Sequence, residues 1–160
     1  MEFQPIGVIR TPFKTLEEMP IQPTGAEGLI GRIELDPGLV EGLKDLDGFS
    51  HIIALYYFHR SEGLCLTVTP FLDKKEHGVF ATRAPLRPNP IGLSILKLIR
   101  LDNNIITVGN VDMLDGTPLV DIKPYVPAFD QPLEIVRSGW LDNCGDQVKV
   151  TQSDSRFLGK

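Results

Sequence analysis

Eight short stretches of this chain alternate apolar and polar residues with a period of two, the spacing of a half-buried strand. They run over Ile6–Thr11, Leu29–Leu35, Ser50–His59, Leu64–Phe71, Gly78–Thr82, Ile91–Leu101, Ile105–Val111 and Leu119–Tyr125. The 15 glycines and 13 prolines fall mainly between them as turn punctuation. Many short strands separated by frequent turns predict an all-β fold, an antiparallel barrel or a sandwich. Helices are expected to be short. The best candidate is Pro37 to Leu46, with proline at its start and Leu39, Leu43 and Leu46 on one face. After Pro127 the alternation fades until DQVKVTQ, which predicts an irregular C-terminal tail.

Several function classes fall away early. A chain of 160 residues suits one domain. It has no apolar run near the roughly 20 residues of a membrane span. MEFQPIGVIR lacks the basic and apolar regions of a secretory signal, so a cytoplasmic location is expected. The two cysteines, Cys65 and Cys144, are far apart and outside any CxxC pattern, which argues against zinc and disulfides. Cys65, inside GLCLTV, is expected in the core. No GxGxxG or GxxxxGK[ST] motif is present. Ser94, in GLSIL, lacks the second glycine of a nucleophile elbow and reads as a strand residue.

The net charge of −5 excludes a generic nucleic-acid binder, but the charge is unevenly spread. Glu17 to Asp47 holds eight acidic residues against two basic ones; Lys74 to Arg100 holds six basic against one acidic. The basic window contains TRAPLRPNPIGLS, in which Ala84, Arg87 and Asn89 each precede a proline. Proline fixes its own φ and keeps the preceding residue out of the helical region, so this loop is pre-organised. Arg83 and Arg87 suit a carboxylate or a phosphate. A proline-rich turn with solvated arginines is the plainer alternative.

Two other segments carry candidate residues. In SHIIALYYFH, His51 and His59 are evenly spaced, so one sheet face would carry both; at roughly 26 Å apart they cannot share a metal. No metal is expected, and His59 with Arg60 suits a site mouth. In DMLDGTPLVDIKPY, Asp115-Gly116 is a strong hairpin signal, flanked by Asp112, Asp121, Lys123 and Tyr125.

These segments together resemble the TsaA-like (TrmO) family. The matching stretches are PIGVIRTPF (Pro5–Phe13), IQP (Ile21–Pro23), GFSHIIALYYFH (Gly48–His59), GVFATRAPLRPNPIGLS (Gly78–Ser94) and DMLDGTPLVDIKPYVP (Asp112–Pro127). They cover most of the first 127 residues in the family's order. The resemblance implies a small antiparallel β-barrel over residues 1–137, with residues 138–160 packing on the barrel or on a neighbouring subunit. It implies a homodimeric S-adenosylmethionine-dependent methyltransferase acting on N6 of threonylcarbamoyladenosine in the tRNA anticodon loop. Another substrate, or a non-catalytic cofactor- or RNA-binding module, is the alternative.

The cofactor positions carried over are Ile21, Gln22, Pro23, His59, Arg60, Arg83, Leu93, Asp115, Gly116, Thr117 and Pro118. Arg87 and Lys123 are expected to bind substrate. The composition of the proline loop makes Asn89 a candidate acceptor for the adenine amine, and Asp115 or Tyr125 a candidate for proton removal. Bacterial members usually carry a further C-terminal domain where this chain stops at Lys160. Less extensive tRNA contact, a partner, or another substrate is therefore expected.

Overall fold

The computed structural model describes residues 2–17, 19–142, 144 and 147–157. Glu18 of the acidic window and Asp146 at the start of DQVKVTQ lie outside them. Eight strands form: β1 (Gly7–Arg10), β2 (Ile30–Leu35), β3 (His51–Tyr57), β4 (Thr67–Val68), β5 (His77–Gly78), β6 (Ile91–Asp102), β7 (Ile105–Gly109) and β8 (Thr117–Pro124). Six of them close an antiparallel barrel in the order β1-β2-β7-β6-β3-β8, and β4 pairs with β5 alone. Closure leaves the barrel without an edge strand to protect.

The alternation explains what fills the barrel. Ile33 and Leu35 of β2, Ile52 and Ala54 of β3, Ile106 and Val108 of β7 point inward, joined by Ile9, Leu96 and Leu119. Burying each aliphatic side chain stabilises the fold by roughly 1.5–3 kcal/mol. The same inward rows continue to one end of the barrel with polar residues: Tyr56 on β3 and Ser94 on β6.

Five local expectations need correction, the last at Asp115-Gly116. β3 ends at Tyr57, so His59 lies past the strand and does not share a face with His51 by alternation. The expected strand at Gly78–Thr82 keeps only Gly78; Val79–Ala81 winds into a 3-10 turn, which Thr82 Oγ1 ties by donating to the Val79 carbonyl at 2.9 Å. Pro37–Leu43 is a 3-10 helix, and Lys44 and Asp45 break away before a second turn at Leu46–Gly48. Gly38 and Gly42 weaken any α-helix there, and Leu39 faces solvent. Cys65 is exposed rather than core, because only Thr67–Val68 of its segment pairs as strand. Cys144 is the buried thiol.

The Asp115-Gly116 turn forms, with Gly116 at φ +77°, but it is not a hairpin. β8 runs from it to pair with β1 and β3, and the residues before it leave the sheet.

Beyond β8, the short helix α1 (Pro127–Asp130) leads into a returning segment. Trp140 stacks on His77 at 4.5 Å and donates its indole N–H to the Ala81 carbonyl. After α2 (Gln147–Val150), Gln152 bridges to Pro20 and the Ser153 N–H donates to Met19. Phe157 is buried with Val68 and Ala84, edge-on to Phe71 at 5.1 Å. Arg156 lies over the same Phe71 ring.

Candidate active site

A cavity of about 480 Å³ opens at the polar end of the barrel. Its floor is the segment after β7, with Asp112, Met113 and Leu114, and Thr117 at the start of β8. Tyr56, Phe58, His59 and Arg60 form one wall as the chain leaves β3; the proline loop, with Arg83, Arg87 and Asn89, forms the adjoining one. Ile21 and Gln22 close it from the N-terminal segment, and Ser153, Asp154 and Phe157 close it from the tail.

The proline loop is held from within. The Arg87 guanidinium donates from Nη1 to the carbonyls of Thr82 (3.2 Å) and Ala84 (3.3 Å). Phe58 N–H donates to the Pro90 carbonyl at 2.8 Å, which fastens the loop to the end of β3. Arg83 reaches across to Gln22, donating to its Oε1 at 3.0 Å. The Asn89–Pro90 bond is trans. Arg87 therefore braces the loop, and Arg83 is the cation with the lighter structural duty. Burial, followed by the charge of Arg60, lowers the pKa of His59, so its imidazole is neutral at pH 7.

The cavity thus gathers Ile21, Gln22, His59, Arg60, Arg83, Arg87, Asn89, Leu93 and Thr117. Pro23 opens the 3-10 turn beside Gln22, outside the lining. Asp115, Gly116 and Pro118 do not line it either. Asp115 accepts from the Thr11 N–H (3.0 Å) and from Lys14 Nζ (2.6 Å), which holds its carboxyl below the usual range; Lys14 is the larger cause. Gly116 N–H donates to Ile9, and Pro118 pairs with Val8. This turn therefore clasps β1 and positions Thr117.

Lys123 and Tyr125 sit at the other end of β8. Lys123 pairs with Asp121 at 2.7 Å, and the Tyr125 N–H donates to His51 at the far end of β3. Along β3 that is roughly 20 Å from the cavity. The Tyr125 hydroxyl accepts from Gln131.

Tyr56, Ser94 and Asp112 form one hydrogen-bonded row at the base of the cavity, with Ser94 behind the lining. Ser94 Oγ donates to Asp112 Oδ1 at 2.7 Å, and the Tyr56 hydroxyl lies 3.0 Å from the same Oγ. With the Ser94 proton committed to the carboxylate, Tyr56 is the donor to Ser94. Asp112 is only 8 % exposed, and burial raises its pKa to about 7 against the opposing Ser94 hydrogen bond. Burial and the Asp112 charge push the Tyr56 phenol well above its ordinary value. For Tyr56 and Ser94 the signal is a polar residue at an inward position of an alternating strand; Asp112 follows β7 and carries no such signal.

Residues 8–131 match the family described as the tRNA-methyltransferase O N-terminal domain. The chain belongs to that family. A probable S-adenosyl-L-methionine-binding protein of Pyrococcus abyssi is 49 % identical over 156 residues, 98 % of this chain and 84 % of that one. A tRNA (adenine(37)-N6)-methyltransferase of Escherichia coli is 39 % identical over 136 residues, 79 % of this chain and 58 % of the enzyme. The crystal structure of TrmO from Pseudomonas aeruginosa superposes with a TM-score of 0.74 at 38 % identity, over 89 % of this chain and 63 % of TrmO. Within this TrmO-type barrel, the tail residues Ser153, Asp154 and Phe157 wall the cavity from outside the matched span.

Among the described residues, no group of three or more His, Cys, Asp or Glu is placed to hold a metal ion, and no helix is long and apolar enough to cross a membrane.

Proposed function

We propose that the protein is an S-adenosylmethionine-dependent methyltransferase acting on N6 of threonylcarbamoyladenosine 37 in tRNA, in the cytoplasm. The observation that carries this reading is the cavity walled by the proline loop, in a chain whose relatives bear cofactor-binding and tRNA-methyltransferase names. The lining suits the cofactor. Its volume lies in the roughly 300–1,000 Å³ range of small-ligand sites. Arg83 offers a cation for a carboxylate, and Phe58, Met113 and Leu114 offer apolar surface for an adenine ring.

When bound, the cofactor supplies a methyl group on a sulfonium. The chain's residues supply position and charge. Ile21, Gln22 and Arg83 grip the amino-acid end, while His59, Arg60, Leu93 and Thr117 line the rest of its slot. Asn89 orients the substrate's ureido group by donating from its side-chain amide to the carbamoyl oxygen. Arg87, braced in the loop, presents charge to the substrate. Residues 1–137 act as the catalytic domain, and the tail closes over its mouth through Ser153, Asp154 and Phe157.

A homodimer is part of the reading. On the outer face of β3 and β6, Tyr57, Ile91, Leu93 and Ile95 are all at least 36 % exposed and adjacent in register, with Ile99 further along. Apolar faces of this kind mark interaction sites. Ile91 and Leu93 also line the cavity, so a second copy seated there would complete its wall.

Mass analysis of nucleosides from tRNA treated with protein and cofactor tests the reading. It predicts threonylcarbamoyladenosine one methyl heavier. Unmodified adenosine gaining the methyl would overturn the substrate.

A further inference from the structure

The acceptor nitrogen in threonylcarbamoyladenosine is a ureido N–H. Its lone pair is delocalised into the carbonyl and the purine ring, so it attacks poorly until its proton goes. A secondary nitrogen that gains a methyl must release one proton in any case. A base within reach of the cavity would lower that barrier, typically by 10²–10⁴ in rate.

The charged groups around the cavity narrow the choice of base. Both oxygens of Asp115 are engaged, by Thr11 and Lys14. Both oxygens of Asp154 accept from Arg156. Asp112 has one oxygen, Oδ1, bound by Ser94, while Oδ2 bonds to no other residue among those described. It is not a sealed, unsatisfied atom either: among the described residues that condition is met by Ser61 Oγ alone. Asp112 lines the cavity and keeps 8 % of its surface exposed; besides Ser94, its carboxyl accepts only from its own backbone N–H.

We propose that Asp112 is the general base, taking the N6 proton on Oδ2, and that Ser94 and Tyr56 position it. This rests on the methyltransferase reading above. In the step, the N6–H bond breaks and the proton goes to Oδ2 as the N6–methyl bond forms. The electron pair of the methyl–sulfur bond returns to sulfur, which leaves as a neutral thioether. Asp112 then returns the proton to solvent through the cavity mouth.

The surroundings suit a base that is free near neutral pH. Around it are Ser94 from β6, bonded in turn to Tyr56 of β3, and the Arg83 charge from the proline loop; His59 and Arg60 line the same cavity. Burial raises its pKa to about 7; the Ser94 hydrogen bond and the Arg83 charge keep it from going higher. His59 is the rival base, neutral in the same cavity.

The test is the pH profile of methyl transfer to modified tRNA by wild type, Asp112→Asn, Ser94→Ala and His59→Gln. Cofactor affinity is measured alongside by calorimetry. Wild-type kcat/KM is expected to rise to a plateau through an ionisation near 7. In Asp112→Asn the expectation is a fall of about 100-fold or more in kcat, loss of the acid limb, and cofactor affinity within a few-fold. Ser94→Ala, which removes a hydrogen bond to the ionised carboxylate, moves the limb upward. This variant serves if Asp112→Asn does not fold. Without cofactor, an infrared carboxylic-acid band titrating near 7 is expected in wild type and absent from Asp112→Asn. An acid limb kept in Asp112→Asn, or moved by His59→Gln alone, overturns the proposal and leaves the methyltransferase reading standing. Wild type without transfer to modified tRNA overturns both.

Discussion

Gly92 stands opposite Tyr56 in the β3–β6 ladder, and the Tyr56 ring fills the space where a side chain at 92 would be. A Cβ there would overlap three ring carbons, all closer than 3.0 Å. The bare backbone lets the ring lie flat across the strand and carry its hydroxyl to Ser94.

Gly92→Ala forces that ring to shift. Overpacking of this kind costs about 1–3 kcal/mol, which lowers the melting temperature. Tyr56→Phe, which keeps the ring, should change stability less than Gly92→Ala. Thermal unfolding of both variants checks the order.

The raised carboxyl of Asp112 makes stability depend on pH. The folded-state pKa, about 7, exceeds the ordinary 3.8, so the folded protein binds the extra proton between those values. Stability due to this group therefore falls as pH rises from about 4 to 7 and is flat above. The full span is on the order of 4 kcal/mol. Denaturant unfolding at pH 5 and pH 8 should show that Asp112→Asn gains on wild type at the higher pH. Equal pH dependence in the two proteins would contradict the assignment.

The two loop arginines should separate in their effects. Arg83 bonds only Gln22 among the described hydrogen bonds, whereas Arg87 ties two carbonyls of its own loop. Arg83→Ala should weaken calorimetric cofactor binding about 10-fold or more, with little change in melting temperature. Arg87→Ala should lower the melting temperature, and Arg87→Lys should not restore it, since lysine lacks the planar fork.

On the outer sheet face, Ile95→Lys places a charge among Leu93, Ile53 and Lys123. If this face joins two copies, sedimentation should show a dimer in wild type and a monomer in the variant. A wild-type monomer would remove the dimer from the account.

The barrel strands were legible because a period of two is local: Ile52, Ala54 and Tyr56 face inward as the alternation requires. The proline loop was legible for a similar reason, since proline acts on its own φ and its neighbour. What escaped depended on contacts distant in sequence. Ser94 meets Asp112 and Tyr56 from 18 and 38 residues away, and nothing in GLSIL or VDM marks the meeting. The turn motif at Asp115 likewise does not mark the partners of its carboxylate, Thr11 and Lys14. Lys123 and Tyr125 follow that motif closely in sequence, but a strand rises about 3.3 Å per residue and carries them away from the cavity. Cys65 lay in apolar company, but Leu64 and Leu66 are themselves exposed.

Transfer of labelled methyl from S-adenosylmethionine to two tRNA pools decides whether the protein is a methyltransferase of threonylcarbamoyladenosine. One pool comes from normal cells and the other from cells lacking the threonylcarbamoyl group. Label entering only the first pool, and reduced in Arg83→Ala at limiting cofactor, is the predicted result. Equal label in both pools, or none in either while calorimetry shows cofactor binding, would contradict the account.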